Sequence, residues 1–185
     1  MFSKQRIVII GNLAGGKTRL SRSLAKRYNI PLLHIDSVQF LPGMKIRTPS
    51  ETKNIIEDIT RQEKWIVDGF GPLDILEKRF AQADAIVMID FPLWRHYWWC
   101  SKRQISNLWT RREELPPGCS ELSWAHTIKL FKTLKQIHTK MRPELLRILN
   151  RPHNLGKTVF IRTLQDWQSL EQKGLPNDHQ KEKPG

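Results

Sequence analysis

Apolar positions along the chain fall into two periods. Arg6 to Ile10, Leu32 to Asp36, Trp65 to Gly69, Ala85 to Asp90 and Thr158 to Arg162 are short, continuous apolar runs rich in β-branched residues. Such runs predict buried strands. Between them lie segments of helical period. Lys17 to Tyr28 places Leu20 and Leu24 on one face and is stopped by Asn29 and Pro31. A further helix begins at Thr48-Pro49-Ser50-Glu51, where Thr48 can cap, Pro49 suits the first helical position and Glu51 can reach back. Its inner face is Ile55, Ile56 and Ile59. A short helix is expected over Leu73 to Phe80. A long helical stretch follows Pro92, breaks near Leu115-Pro116-Pro117-Gly118 and resumes from about Glu121, with Leu122, Ala125, Ile128, Phe131, Leu134 and Ile137 at roughly helical spacing. Thr163-Leu164-Gln165-Asp166 has the form of a capping signature for one last helix, and the polar tail beyond Gly174 is expected to fray.

Strands of parallel type alternating with helices predict an α/β fold in three layers with a mainly parallel sheet, whose ligands sit at the carboxyl ends of the strands. At 185 residues one domain over 1–185 is expected, with a lid or helical insertion at about 91–150. Hydrophobic residues at 39% and charged residues at 26% exclude wholesale disorder. No basic-then-apolar leader precedes Ile7 to Ile10, and the aromatic stretch Phe91 to Cys100 is interrupted by Arg95 and His96, so neither a secretory signal nor a membrane span is expected. Cys100 and Cys119 form no CxxC pair, which fits a reducing cytoplasm.

The formal net charge is +13, and from Phe91 to Arg162 there are 14 Lys plus Arg against 4 Asp plus Glu. The positive field therefore belongs to the second half. It attracts polyanions in general, and nucleotide phosphates, nucleic acid and anionic membrane all satisfy it.

The chemistry begins where the first strand meets the first helix. Gly11-Asn12-Leu13-Ala14-Gly15-Gly16-Lys17-Thr18 matches the phosphate-binding loop G-x-x-x-x-G-K-[ST], and the strand before and helix after supply the context that this motif requires. A glycine-rich turn lets successive N–H groups point inward, and the helix adds its positive end. Residues Gly11 to Thr18, with Arg19 beside them, are the expected ATP contacts. Lys17 would reach the β and γ phosphates, and Thr18 would hold Mg²⁺ through its hydroxyl. Mg²⁺ is usually held by one or two carboxylates together with phosphate oxygens, and Asp68 and Asp90, each ending a strand, both qualify. Asp36 ends another strand, opposite the loop, where it could orient an acceptor hydroxyl, take its proton, or cap a turn.

Beyond these features, Ile9-Ile10-Gly11 to Thr18, Leu33-His34-Ile35-Asp36, Trp65-Ile66-Val67-Asp68-Gly69 and Ala83 to Pro92 followed by Arg95 and Arg103 resemble the adenylate-kinase-related P-loop proteins of the DNA topology modulation family. The likeness covers most of residues 6 to 170. It implies a P-loop NTPase fold with a five-stranded parallel sheet in the order 2-3-1-4-5. It also implies an aspartate of the third strand near Mg²⁺, which favours Asp68 over Asp90, and lid arginines on the transferring phosphate, matched by Arg95 and by Arg103 or its neighbour Lys102. One departure bears on the acceptor. After Asp68-Gly69-Phe70 stand Gly71-Pro72, where adenylate kinases carry Pro-Arg, so the acceptor stays open; Arg47 or Lys45 could serve instead. Trp94, Trp98, Ile105 and Trp109 approximate one helical stripe and are expected to pack rather than stack on bases. The expected function is ATP- and Mg²⁺-dependent phosphotransfer to a small molecule, nucleotide-kinase-like. The alternatives are a nucleic-acid-associated ATPase and a nucleotide-binding regulator influencing DNA topology.

Overall fold

The computed structural model describes residues 4–41, 45–106 and 124–176, and the side chains of 103–106 and 124–127 lie outside the description. Strand β1 (Arg6–Gly11) runs through the centre of the molecule with its last five residues buried. It is followed by α1 (Lys17–Tyr28), β2 (Leu32–His34), the short α2 (Ile35–Gln39), a hairpin of β3 (Phe40–Leu41) and β4 (Lys45–Ile46), and α3 (Pro49–Thr60). Then come β5 (Trp65–Asp68), a 3-10 turn (Leu73–Ile75), α4 (Leu76–Gln82), β6 (Ala85–Ile89) and α5 (Leu93–Ser106). The last part holds α6 (Trp124–Gln136), a π-helical turn (Ile137–Met141), α7 (Arg142–Leu149), α8 (Pro152–Leu155), β7 (Thr158–Ile161) and α9 (Leu164–Lys173).

β2, β5, β1, β6 and β7 form one parallel sheet in that order. Counted by sheet strand alone this is the order 2-3-1-4-5, as the family resemblance implies. Every step between neighbouring strands passes over a helix, so two apolar layers form, one on each face. One face buries Val8, Ile10, Val67, Ile86 and Met88 against Ile56, Phe80 and Leu149. The other buries Ile7, Ile9, Ile66, Val87 and Ile89 against Leu20, Leu24, Trp167 and Leu170. Alternation along β1 thus feeds both layers, which is why the strand reads as a continuous apolar run rather than an alternating one. Thr48 accepts from the Glu51 N–H and closes the capping box of α3, and Thr163 and Asp166 do the same for α9.

Three features differ from expectation. The strand expected over Leu32 to Asp36 ends at His34, so that Asp36 lies in α2 rather than at a strand end, and the β3–β4 hairpin follows, elements too short to leave a periodic trace. The stretch from Ile128 is interrupted by the π turn, and Ile128 is exposed while Leu134 and Ile137 are buried, so the apolar stripe faces the core only at its end. Trp94 and Trp98 are 63% and 56% exposed, which corrects their assignment to packing. The inner face of α5 is carried instead by His96 and Cys100, with Tyr97 edge-on to Phe131 of α6. The expected break at Leu115 to Gly118, Ile105, Trp109 and the side chain of Arg103 lie outside the description. No helix among the described residues is long and apolar enough to cross a membrane.

Candidate functional site

The phosphate loop is built by close approach. Gly11 ends β1 at φ +148°, and a Cβ there would lie 2.6 Å from the Ile89 carbonyl oxygen, so the strand can enter the loop beside β6 only through glycine. Gly16 stands at the N-cap of α1 in the left-handed region, and a Cβ there would press on the Trp167 indole at 3.2 Å. The first turn of α1 carries no acidic residue and no side chain caps it. Its N–H groups and dipole are therefore offered to an anion.

Side chains brace the loop from below. Asn12 accepts from the Leu13 N–H at 2.8 Å and donates through Nδ2 to the Leu134 carbonyl at 3.0 Å, tying the loop to α6 just before the π turn. Lys17 Nζ donates to the Asn12 carbonyl at 3.0 Å, folded across the cradle. His96 of α5 is buried and bonds the Leu13 carbonyl through Nδ1 at 2.8 Å. Burial, reinforced by the nearby Lys17 charge, pulls its pKa down to about 4, so the ring is neutral at physiological pH.

Asp68, the last residue of β5, is buried beside this cradle. Its Oδ2 meets Ser21 Oγ of α1 at 3.3 Å and His34 Nδ1 of β2 at 3.0 Å, while Oδ1 is buried with no hydrogen-bond partner. Ser21 in turn donates to the Thr18 carbonyl. Asp90, the other candidate, has a different environment. Arg142 donates to both of its oxygens, Nε to Oδ1 and a terminal nitrogen to Oδ2 at 2.9 Å, and Asp90 holds the Arg142 pKa above its usual value. A carboxylate so neutralised is a poor cation ligand, whereas Oδ1 of Asp68 is buried with no hydrogen-bond partner. Of the two carboxylates expected near Mg²⁺, Asp68 is the one not already paired with an arginine. Among the described residues no cluster of three or more His, Cys, Asp or Glu could hold a metal by itself.

The other expected residues scatter more widely. Asp36 lies in the first turn of α2, two residues beyond His34. Arg19 is exposed, pairs bidentately with Glu171 and lies over the Trp167 ring, at the edge of the cradle. The Arg95 guanidinium is lodged among Phe91, Trp94 and Trp99 within 5.2–5.7 Å of their ring centres. Lys45 is exposed, and Arg47 donates to the Val38 carbonyl. A cleft running from Asn12 to Phe70 is walled by Asp90, His96, His138 and Arg142.

His34, His96, His138 and Arg142 are the site residues that sequence reasoning passed over. His34 stood inside the quoted Leu33-His34-Ile35-Asp36 run, and Arg142 was counted only as charge, although its place immediately before Pro143 at a helix start was visible. Arg79 was also unforeseen. It is buried on α4 and donates to the Gly69 and Phe70 carbonyls, holding the turn after Asp68 where Gly71-Pro72 replaces the adenylate-kinase Pro-Arg.

No family model matches the chain. It is 36% identical over 93 residues to a tRNA dimethylallyltransferase of Flavobacterium psychrophilum, covering 45% of this chain and 30% of that protein. A tRNA dimethylallyltransferase of Cytophaga hutchinsonii is 30% identical over 96 residues, covering 46% and 32%. The chain spans about a third of the length of the curated relatives it matches. Among solved structures it is similar to shikimate kinase from Acinetobacter baumannii in complex with shikimate, at a TM-score of 0.59 and 14% identity over 92% of this chain and 90% of that one. It is likewise similar to a gluconokinase from Sinorhizobium meliloti 1021, at a TM-score of 0.52 and 15% identity over 93% and 90%. The sheet order and flanking helices of this chain are those of the P-loop NTPase fold that these proteins share.

Proposed function

We propose that this chain transfers the γ-phosphoryl group of ATP to a hydroxyl group of a small-molecule acceptor. The observation that carries the reading is a phosphate cradle set beside Asp68, a buried carboxylate with one oxygen unused. The N–H groups from Asn12 to Thr18 and the start of α1 hold the phosphates, and Lys17 exchanges the Asn12 carbonyl for the β and γ oxygens. Thr18 and Asp68 would hold Mg²⁺, which when bound draws negative charge from the phosphates. Asp36 orients the acceptor hydroxyl from the start of α2, on the far side of Asp68. The acceptor oxygen attacks the γ phosphorus as its proton passes to the Asp36 carboxylate, the bond to the bridging oxygen breaks, and ADP leaves. Arg95 and Arg103, on α5 in a lid spanning about 91–150, close over the transferring group and exclude water.

The single-domain P-loop fold, its kinase neighbours and the adenylate-kinase resemblance all support this reading, and a nucleotide or nucleoside acceptor is the finer form of it. The second reading is an ATPase associated with nucleic acid, acting on DNA topology as the family resemblance implies. It draws on Lys129, Lys132, Lys135 and Lys140, all exposed on α6 and the π turn, and on the exposed Trp94 and Trp98. One screen separates the two. Mg·ATP turnover is followed by ADP release with nucleosides, nucleotides and shikimate, and in parallel with duplex DNA, single-stranded DNA and tRNA. A small molecule that accelerates ADP release and returns as a phosphate ester in ³¹P spectra is the expected result. Acceleration by nucleic acid alone, without an ester, would replace the first reading with the second.

A further inference from the structure

Resting on the reading of Asp68 as a Mg²⁺ residue, we infer that His34 is the positioning residue that aims this carboxylate at the cation. Three observations converge on it. His34 and Asp68 are register partners at the last residues of adjacent parallel strands, so their side chains emerge at the same sheet edge beside the phosphate loop. His34 Nδ1 lies 3.0 Å from Asp68 Oδ2, and Ser21 Oγ reaches the same oxygen at 3.3 Å. The opposite oxygen, Oδ1, is buried and has no partner.

A carboxylate pivots about its Cβ–Cγ bond, and a buried one with a single engaged oxygen is fixed only as firmly as the groups on that oxygen. Here the His34 ring on β2 holds Oδ2, while the single Ser21 hydroxyl proton is shared between the Thr18 carbonyl at 2.9 Å and Oδ2 at 3.3 Å, so His34 is the chief restraint on a group whose Oδ1 is left to the cation. Since a carboxylate only accepts, the hydrogen bond places a proton on Nδ1. Outer partners of ligating carboxylates typically govern metal affinity by a factor of about 10–100 when removed. The same bond links the acceptor side to the metal side. Asp36 follows His34 by two residues on α2, and Ser21 joins Asp68 to the Thr18 carbonyl. Seating a cation on Asp68 thereby fixes the start of the segment that carries Asp36.

The test is cation affinity, read without turnover. Mn²⁺ is titrated into protein saturated with ADP, and free Mn²⁺ is counted by its electron paramagnetic resonance signal. His34→Ala should bind Mn²⁺ about 10–100-fold more weakly than the wild type, while His34→Asn, whose amide can donate from nearly the position of Nδ1, should recover to within about threefold. Wild-type affinity in His34→Ala, or a His34→Asn variant as weak as the alanine, would overturn the inference. Should the alanine variant fail to fold, ¹⁵N spectra of the wild-type imidazole decide. A proton on Nδ1 is expected, and an Nδ1 without one would overturn the inference. Failure of the underlying reading looks different, because then Asp68→Asn would leave the Mn²⁺ affinity of the ADP complex at the wild-type value.

Discussion

His96 makes stability depend on pH in a way that can be worked out from its surroundings. The ring is 1% exposed between α5 and the phosphate loop, and burial, aided by Lys17, lowers its pKa from 6.5 to about 4. The folded state therefore refuses a proton that the unfolded chain accepts. Between about pH 6.5 and about pH 4 the unfolded state binds more protons, so stability falls as the solution is acidified, and below about pH 4 this contribution levels off. Each pKa unit is about 1.4 kcal/mol, so the full effect is about 3 kcal/mol, of which about 2 kcal/mol is already lost at about pH 5. For a chain of this size about 2 kcal/mol corresponds to a fall of roughly 4–8 °C in melting temperature. The assay is urea unfolding of the wild type and His96→Asn at pH 7.5 and pH 5.0. Asparagine keeps a donor for the Leu13 carbonyl but cannot titrate, and every other titrating group is common to both proteins. The variant should be the less stable at pH 7.5, yet lose about 2 kcal/mol less than the wild type on acidification. Equal losses in the two proteins would mean that His96 is not held neutral.

Three further outcomes follow from the same geometry. Arg142→Ala leaves the Asp90 carboxylate, 2% exposed, without its partner; because Arg142 itself is 35% exposed, the cost measured by urea unfolding should be about 2–3 kcal/mol, below the range of fully buried pairs. The double variant Asp90→Asn with Arg142→Met should cost less than the two single changes together, and strict additivity would mean that the pair is not coupled. Gly11→Ala sets a Cβ against the Ile89 carbonyl at 2.6 Å, so it should unfold the protein or lower its stability by more than about 3 kcal/mol, and near-wild-type unfolding would contradict the loop geometry. Asp36→Asn should lower phosphoryl transfer to whichever acceptor the screen returns by at least about tenfold, with ATP affinity little changed; equal losses in both would return Asp36 to a structural role.

What the sequence discloses and what it hides divide along physical lines. Buried parallel strands are continuous apolar runs, so β1, β5 and β6 were legible to within a residue at their ends. The order of the strands is not a local property and came from the resemblance. Contacts across long stretches of chain were hidden. Nothing near Asp90 signals Arg142, 52 residues on, and nothing in Leu33-His34-Ile35-Asp36 says that His34 rather than Asp36 touches Asp68. The π turn was invisible because side-chain spacing does not record one extra residue in a helical turn. Trp94 and Trp98 misled because apolar spacing on a helix is normally a core signal. Here both rings are exposed, with Arg95 over Trp94 and Lys102 over Trp98.

The central claim is that the loop from Gly11 to Thr18 binds Mg·ATP through Lys17, and calorimetric titration tests it most directly. Lys17 Nζ bonds a loop carbonyl rather than the core, so Lys17→Ala should keep its fold, checked by an unfolding midpoint close to that of the wild type. Wild-type protein should bind Mg·ATP, and the folded Lys17→Ala variant should bind it at least about tenfold more weakly, since a charge-assisted contact to phosphate contributes about 1.5–3 kcal/mol. Absence of binding in the wild type, or equal affinity in the folded variant, would contradict the assignment of this loop as the nucleotide site.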